Sequence, residues 1–247
     1  MNKTAIIIPS RLNALRLPNK PLKSINNKEM ILHVYEAAKK SNTGEVYVAT
    51  PDKKIIDVVK NCGGNAILTS LNHQTGTDRI FEVFKDVLNS EPSIIINLQG
   101  DMPNIDPQAI TDLVSYMKEG KCDIGTLASS FNSNSELEDK NNVKVAVKEK
   151  LIANKFVEAT DFFRITSKTY QNFYHHVGIY AFTNKALVRY VSLKRSKLEI
   201  ERKLEQLRAF ENNMSIHVGY INSSPLSVDT EKDLIEVKKI MENNDQN

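Results

Sequence analysis

Cysteine is scarce in this sequence, with only Cys62 and Cys122 among 247 residues. Two distant thiols make no disulfide framework and no metal-ligand spacing, so both are expected reduced, in or near the core. Long apolar runs are missing too, and none approaches membrane-spanning length. Met1 to Ser10 holds one lysine and a short apolar run, then meets Arg11, Arg16 and Lys20 with no cleavage site, unlike a signal peptide. A cytoplasmic protein with no membrane insertion is expected. Net charge is small, +3, and the lysines are scattered rather than striped, which argues against a nucleic-acid partner. Glycine is absent from residues 9 to 22, so the loop after the first apolar run is neither a GxGxxG fingerprint nor a Walker loop. That excludes a typical dehydrogenase. No internal repeat or low-complexity linker is present.

What is there is the mix of a soluble globular chain, 40% apolar and 26% charged, long enough for a sizeable core. Ala5 to Ile8 reads as a buried strand, Glu45 to Ala49 and Ala66 to Leu68 as further strands, and the isoleucine-rich Ser93 to Leu98 as a central one. Between them, Ile31, Val34, Tyr35 and Ala38, then Ile55 to Val59, then Ile80 to Leu88, fall at helical spacing. Gly63 and Gly64 stop the second helix, and Asp106 with Pro107 opens a helix through Met117. This alternation predicts an α/β fold with a mainly parallel sheet and helices on both faces. After about residue 123 the pattern changes. Val143 to Val147 reads as a half-buried strand, Ile152 to Val157 as its hairpin partner, His176 to Phe182 and Ile216 to Ile221 as strands, and Leu198 to Phe210 as a charged helix. Thr230 can cap a last helix through Ile240, and the polar tail from Asn243 is expected to fray. The expectation is a single domain, with residues 1–122 and about 184–247 as its core and about 123–183 as a strand-rich lobe.

Ligands of such sheets bind at the carboxyl ends of the strands, and two segments sit there. PSRLNALRLPNKPL (9–22) sets Arg11, Arg16 and Lys20 after the first strand, where arginine forks and a lysine charge can hold a triphosphate. Alternatively it is a solvated basic loop. NLQGDMP (97–103) follows the isoleucine strand, so Asp101 can bind a divalent ion while Gly100 lets backbone approach a ligand, or it is an ordinary turn. SVDT (227–230) precedes the last helix, so Asp229 is either that helix's cap or a second metal ligand. HQTGTDR (73–79) opens a helix and suits an anion or a pyrimidine edge, or else Thr77 is merely the cap. In HHVGIY (175–180) the adjacent histidines point to opposite faces, so only one can line a pocket, and zinc ligation is not expected. In LEQLR (204–208), Leu204 and Leu207 read as the inward side of a helix.

In this order, IIIPSR with RLPNKPL, HQTGTDR, INLQGDMP, NVKVAV, HHVGIY, LEQLR and SVDT resemble the 3-deoxy-manno-octulosonate cytidylyltransferases, or CMP-KDO synthetases, over roughly residues 4 to 240. The resemblance implies a Rossmann-like nucleotidyltransferase fold, usually dimeric. It implies CTP and an acidic eight-carbon sugar as substrates, CMP-sugar and pyrophosphate as products, lipopolysaccharide biosynthesis as the setting, and Mg2+ as the ion. Carried over by position, Arg11, Arg16 and Lys20, with Ser10, meet the triphosphate. Gln99 and the loop from Thr75 through Gly76 to Arg79 meet the cytidine. Asp101 and Asp229 hold the metal, and His176, Tyr180, Glu205 and Gln206 line the sugar pocket. Arg11, Lys20, Asp101 and Asp229 are the catalytic candidates. An in-line displacement needs no protein nucleophile, consistent with the absence of a nucleophile elbow. A cytidylyltransferase for a nine-carbon sialic-type acid and a non-catalytic nucleotide-binding module are the rival readings. Retention of both aspartates with the three cations speaks against the module.

Three positions depart from the family. Asn19 stands where glycine is usual, and asparagine tolerates positive φ. Met102 stands where glutamate is common. Glu158, in KFVEAT (155–160), matches an arginine beside the sugar, and an anion about 4 Å from the sugar's carboxylate would cost several kcal/mol at an effective dielectric of about 20. Either the sugar is an 8-amino analogue, or the register shifts and Arg164 takes the arginine's place.

Overall fold

The computed structural model describes residues 3–13, 16–165 and 168–244. Residues 245–247 of the polar tail lie outside that range, as do Ala14 and Leu15 of the basic loop. The chain forms two compact units, Met1–Thr111 with Pro225–Asn247, and Asp112–Ser224.

The first unit is built on β1 (Thr4–Pro9), buried along its whole length. A two-residue hairpin, β2 (Ser24–Ile25) and β3 (Lys28–Glu29), turns at Asn26 and Asn27, both at positive φ as such a turn requires. Then follow α1 (Met30–Lys40), β4 (Glu45–Thr50), α2 (Lys53–Asn61), β5 (Ala66–Leu68), α3 (Gly76–Glu82) and β6 (Ile94–Leu98). The expected helix over 80–88 starts earlier and changes to a π-helical turn at Val83–Val87. Strand order is β5-β4-β1-β6, every pair parallel, with Ile6 opposite Val46 on one side and Ile96 on the other. The parallel sheet expected from the alternation is present. α4 (Pro107–Met117) leads out of the unit, with Asp106 accepting from the Gln108 amide. The last helix, α9 (Glu231–Asn244), belongs to it again.

The second unit contains β7 (Ile124–Ser129), α5 (Asn134–Glu138), β8 (Lys144–Val147), β9 (Phe156–Phe163), β10 (Phe173–Thr183), α6 (Asn184–Ser192), α7 (Lys197–Arg202), α8 (Leu207–Glu211) and β11 (Ile216–Tyr220). Strand order is β10-β7-β11-β9-β8, and β8 pairs again with the start of β10, closing the ring of pairings. Three expectations change here. The hairpin partner of β8 runs later than Ile152 to Val157, because Asn154 adopts a left-handed turn and Ile152 is exposed. The helix from Leu198 to Phe210 is two short helices, since Lys203 at φ 54° ends α7. Residues 184–224 pack with the second unit, because β11 hydrogen-bonds between β7 and β9.

Gly219 of β11 lies against the Phe156 ring, which stacks on Tyr116 at 3.9 Å. A Cβ at Gly219 would sit 2.5 Å from that ring. Gly219→Ala is therefore expected to destabilise the protein by about 1–3 kcal/mol, read as a lower urea midpoint with unchanged slope. The loss should shrink in a Phe156→Ala background, and an equal loss there would refute the clash.

Candidate active site

The carboxyl ends of β1 and β6 open onto a cavity of about 590 Å³. Its wall includes Ser10, Arg11, Arg16, Lys20, Thr75, Gly76, Arg79, Gln99, Asp101 and Asp229. The structure thus brings together every residue expected to meet nucleotide or metal, from four separate stretches of chain.

Each stretch is fixed locally. Asn19 adopts φ 57°, ψ 26°, the left-handed conformation that lets the chain enter the short 3-10 turn Lys20–Leu22. Leu17, Ile25 and Met30 pack with Val228, Leu234 and Val237, joining the basic loop to the C-terminal segment. The Val228 amide donates to the Asp101 carbonyl at 2.9 Å, which sets the two aspartates side by side. Thr230 and Asp233 form a reciprocal cap on α9, Asp233 accepting from the Asp229 and Thr230 amides and donating its own amide to Thr230 Oγ1. Asp229 is thereby relieved of capping, and its carboxylate faces Arg16 Nη2 at 2.7 Å and Lys20 Nζ at 3.0 Å. Lys20 Nζ also donates to Asp101 Oδ2 at 3.0 Å. Burial disfavours the Lys20 charge, but the two carboxylates outweigh it and hold the ammonium pKa above its usual value.

The oxygen pair suits a magnesium ion. Among the described residues no group of three His, Cys, Asp or Glu side chains converges. Two carboxylates with room for phosphate oxygens and water match the habit of that ion. Ser10, 8% exposed, has a buried hydroxyl with no protein partner, so the wall carries an unmet hydrogen bond.

Also on the wall, Thr75 rather than Thr77 caps α3, in a capping box with Asp78. Arg79 is buried and donates to Thr69 Oγ1 and to the Ser70 carbonyl at 2.9 Å, bracing the 69–70 turn. His73, which opens the HQTGTDR motif but to which the sequence assigns no role of its own, also lines the cavity and is hydrogen-bonded to Glu82. No sequence signal pairs these two, because the contact needs α3 to fold first.

The residues expected at the sugar belong to the second unit. A straight strand would separate His176 and Tyr180 by about 13 Å. In β10 a bulge after Val177 contracts the strand, and their rings lie 5.4 Å apart. Thr126 clamps the bulge by donating to the Ile179 carbonyl at 2.7 Å, so His176 Nε2–H donates to Thr126 Oγ1 at 3.0 Å. His175 points elsewhere, 2.6 Å from Glu136. Tyr190 donates to the Glu205 carbonyl at 2.9 Å and lies 3.3 Å from its carboxylate, under the Arg208 guanidinium at 4.8 Å. Arg208 is held by both oxygens of buried Glu199, and Gln206 is buried beside it in sequence. Glu158 does not join this group. It is exposed on β9, opposite His217, with Lys148 Nζ 3.5 Å away. Arg164 is half-buried and donates to the Lys140 and Asn141 carbonyls.

A family model described as cytidylyltransferase matches residues 5–216. The 3-deoxy-manno-octulosonate cytidylyltransferase of Bartonella tribocorum is 42% identical over 238 residues, 96% of this chain and 97% of that one. This chain belongs to the 3-deoxy-manno-octulosonate cytidylyltransferase family. The member from Rickettsia canadensis is 39% identical over 241 residues, 97% of this chain and 96% of that one. A solved CMP:2-keto-3-deoxy-manno-octonic acid synthetase complexed with CTP superposes with a TM-score of 0.89 at 35% identity, covering 98% of this chain and 99% of that one. The nucleotidyltransferase fold also extends to a nucleotidyl transferase from Methanothermobacter thermautotroptrophicus, at a TM-score of 0.67 and 11% identity, over 99% of this chain and 100% of that one. The protein is a nucleotidyltransferase of the Rossmann-like class.

Burial, with a smaller push from His175, lowers the His176 pKa to about 3, so its imidazole is neutral at working pH. The unfolded chain, with its histidine near 6.5, binds this proton first. Stability from His176 is therefore full above pH 6.5 and shrinks as pH falls towards 3, by up to about 1.4 kcal/mol per unit. Urea midpoints for His176→Gln should fall less steeply than wild type between pH 7 and 5, and parallel profiles would refute this.

Proposed function

We propose that this enzyme transfers the cytidylyl group of CTP to 3-deoxy-manno-octulosonate, releasing pyrophosphate, to supply an activated acidic sugar for lipopolysaccharide assembly. The observation that carries the reading is the meeting of Lys20, Asp101 and Asp229 on the cavity floor. The lysine ammonium has three donors. Two engage the aspartates, and the third is left for a phosphate oxygen. Arg11 pairs with no carboxylate among the described residues and, with Arg16, offers guanidinium forks to the triphosphate. Ser10 offers its unpartnered hydroxyl to the same ligand.

The sugar's anomeric hydroxyl attacks the α-phosphorus, the bond to the β-phosphate oxygen breaks, and pyrophosphate leaves with that electron pair. The protein contributes positioning and fixed positive charge. Asp101 and Asp229 would hold Mg2+, which when bound supplies further charge to the phosphoryl oxygens. His176, Tyr180, Glu205 and Gln206 are assigned to the sugar. The cluster of neutral His176, Tyr180 and Glu205 offers hydrogen bonds for a polyhydroxylated ligand. Glu158 already has a cation beside it in Lys148, so the unsubstituted sugar is the substrate proposed.

CTP is a cytoplasmic nucleotide, which supports that location, and among the described residues no helix is long and apolar enough to cross a membrane. A homodimer through the middle strands is proposed from the family resemblance alone, and a monomer in light scattering would overturn it.

Pyrophosphate release with Mg2+ is expected with CTP and 3-deoxy-manno-octulosonate, and with neither partner alone. Preference for the 8-amino analogue, reversed by Glu158→Arg, would move the assignment to that sugar. Lys20→Ala should lower turnover at saturating CTP by at least about 100-fold, and wild-type turnover would refute its role.

A further inference from the structure

We propose that a buried hydrogen-bond chain, Thr77–Asn97–Gln99, selects cytosine over uracil by fixing which end of the Gln99 amide faces the cavity. Gln99 lies on the cavity wall just beyond β6. Its Nε2 donates to Asn97 Oδ1 at 2.9 Å, and Asn97 Nδ2 donates to Thr77 Oγ1 at 3.2 Å. Asn97 is 1% exposed and Thr77 3%, so no bulk water can replace either partner. In the structure the chain runs one way: Thr77 Oγ1 accepts from the Asn97 amino group, the Asn97 carbonyl faces Gln99, and the Gln99 amino group turns to it. The Gln99 carbonyl oxygen takes part in neither bond and is left as an acceptor for a ligand.

Cytosine and uracil differ at one exocyclic position, where cytosine carries an amino donor and uracil a carbonyl acceptor. An acceptor held towards that position pairs with cytosine. Against uracil it would set two oxygens face to face, each losing water without gaining a partner. A freely rotating glutamine would serve both bases equally. Discrimination therefore resides in Asn97 and Thr77, positioning residues outside contact with the nucleotide. The inference rests on the proposal above that Gln99 meets the cytidine.

The test compares kcat/KM for CTP and UTP in wild type, Gln99→Ala, Asn97→Ala, Thr77→Val and Thr77→Ser, each checked for folding by its melting curve. Gln99→Ala should reduce the CTP preference by at least about tenfold. Thr77→Val, which keeps shape but removes the anchor, should do so too, mainly by raising KM for CTP and lowering it for UTP. Asn97→Ala should match it, and Thr77→Ser should restore the wild-type ratio. If Gln99→Ala leaves the ratio unchanged, Gln99 does not meet the base and both readings fall. If Gln99→Ala lowers it but Thr77→Val does not, the orienting chain is overturned while Gln99 stays at the base. Equal losses with CTP and UTP in Thr77→Val would mark a merely structural role and also overturn it.

Discussion

The active-site end of the first unit depends on one ammonium shared between two carboxylates. Asp101 and Asp229 come from positions 81 and 209 residues from Lys20 in sequence, and both lie 3.0 Å from its Nζ. Left alone, two such anions would repel. Lys20 between them offsets that repulsion and holds the pair in register. Much of the surrounding architecture serves that placement. Asn19 takes the left-handed turn that aims Lys20, the Val228 amide pins the last segment to Asp101, and the Thr230–Asp233 cap frees Asp229 from helix duty. An isolated surface ion pair contributes little. This one sits partly buried at the junction of three segments, each also held by packing or backbone bonds.

The second unit solves a different problem, holding polar groups out of water without stray charge. His176 is kept neutral and Tyr180 protonated by burial. The one fully buried ion pair among the described residues, Glu199 with Arg208, is bidentate and further engaged by Arg195 and Tyr190. A buried pair of that kind gains its place through geometry more than through net stability. Here it fixes the start of α8, and with it Glu205.

Legibility in the sequence followed the range of the interactions. The parallel half was readable because its strands are continuous apolar runs, Ile6 to Ile8 and Ile94 to Ile96, separated by amphipathic helices. Cavity residues could be named because family motifs fall at strand ends. Whether Asp229 was cap or ligand could not be read, since that depends on which side chain caps α9. The break at Lys203 was hidden because lysine has good helix propensity and nothing local marks a left-handed residue there. The 176–180 approach needed a bulge set by Thr126, fifty residues away in sequence. The Thr77–Asn97–Gln99 chain was invisible because it joins two elements through side chains alone.

The first unit is discontinuous, and the segment that closes it carries Asp229. Translation therefore delivers the β1 loop and Asp101 early, then all of the second unit, and only afterwards the residue that completes the carboxylate pair. Until the terminal helix has emerged and docked on Leu17, Ile25 and Met30, Lys20 faces a single aspartate. In the timetable of biosynthesis, the carboxylate pair around Lys20 is completed only after the whole second unit has been made.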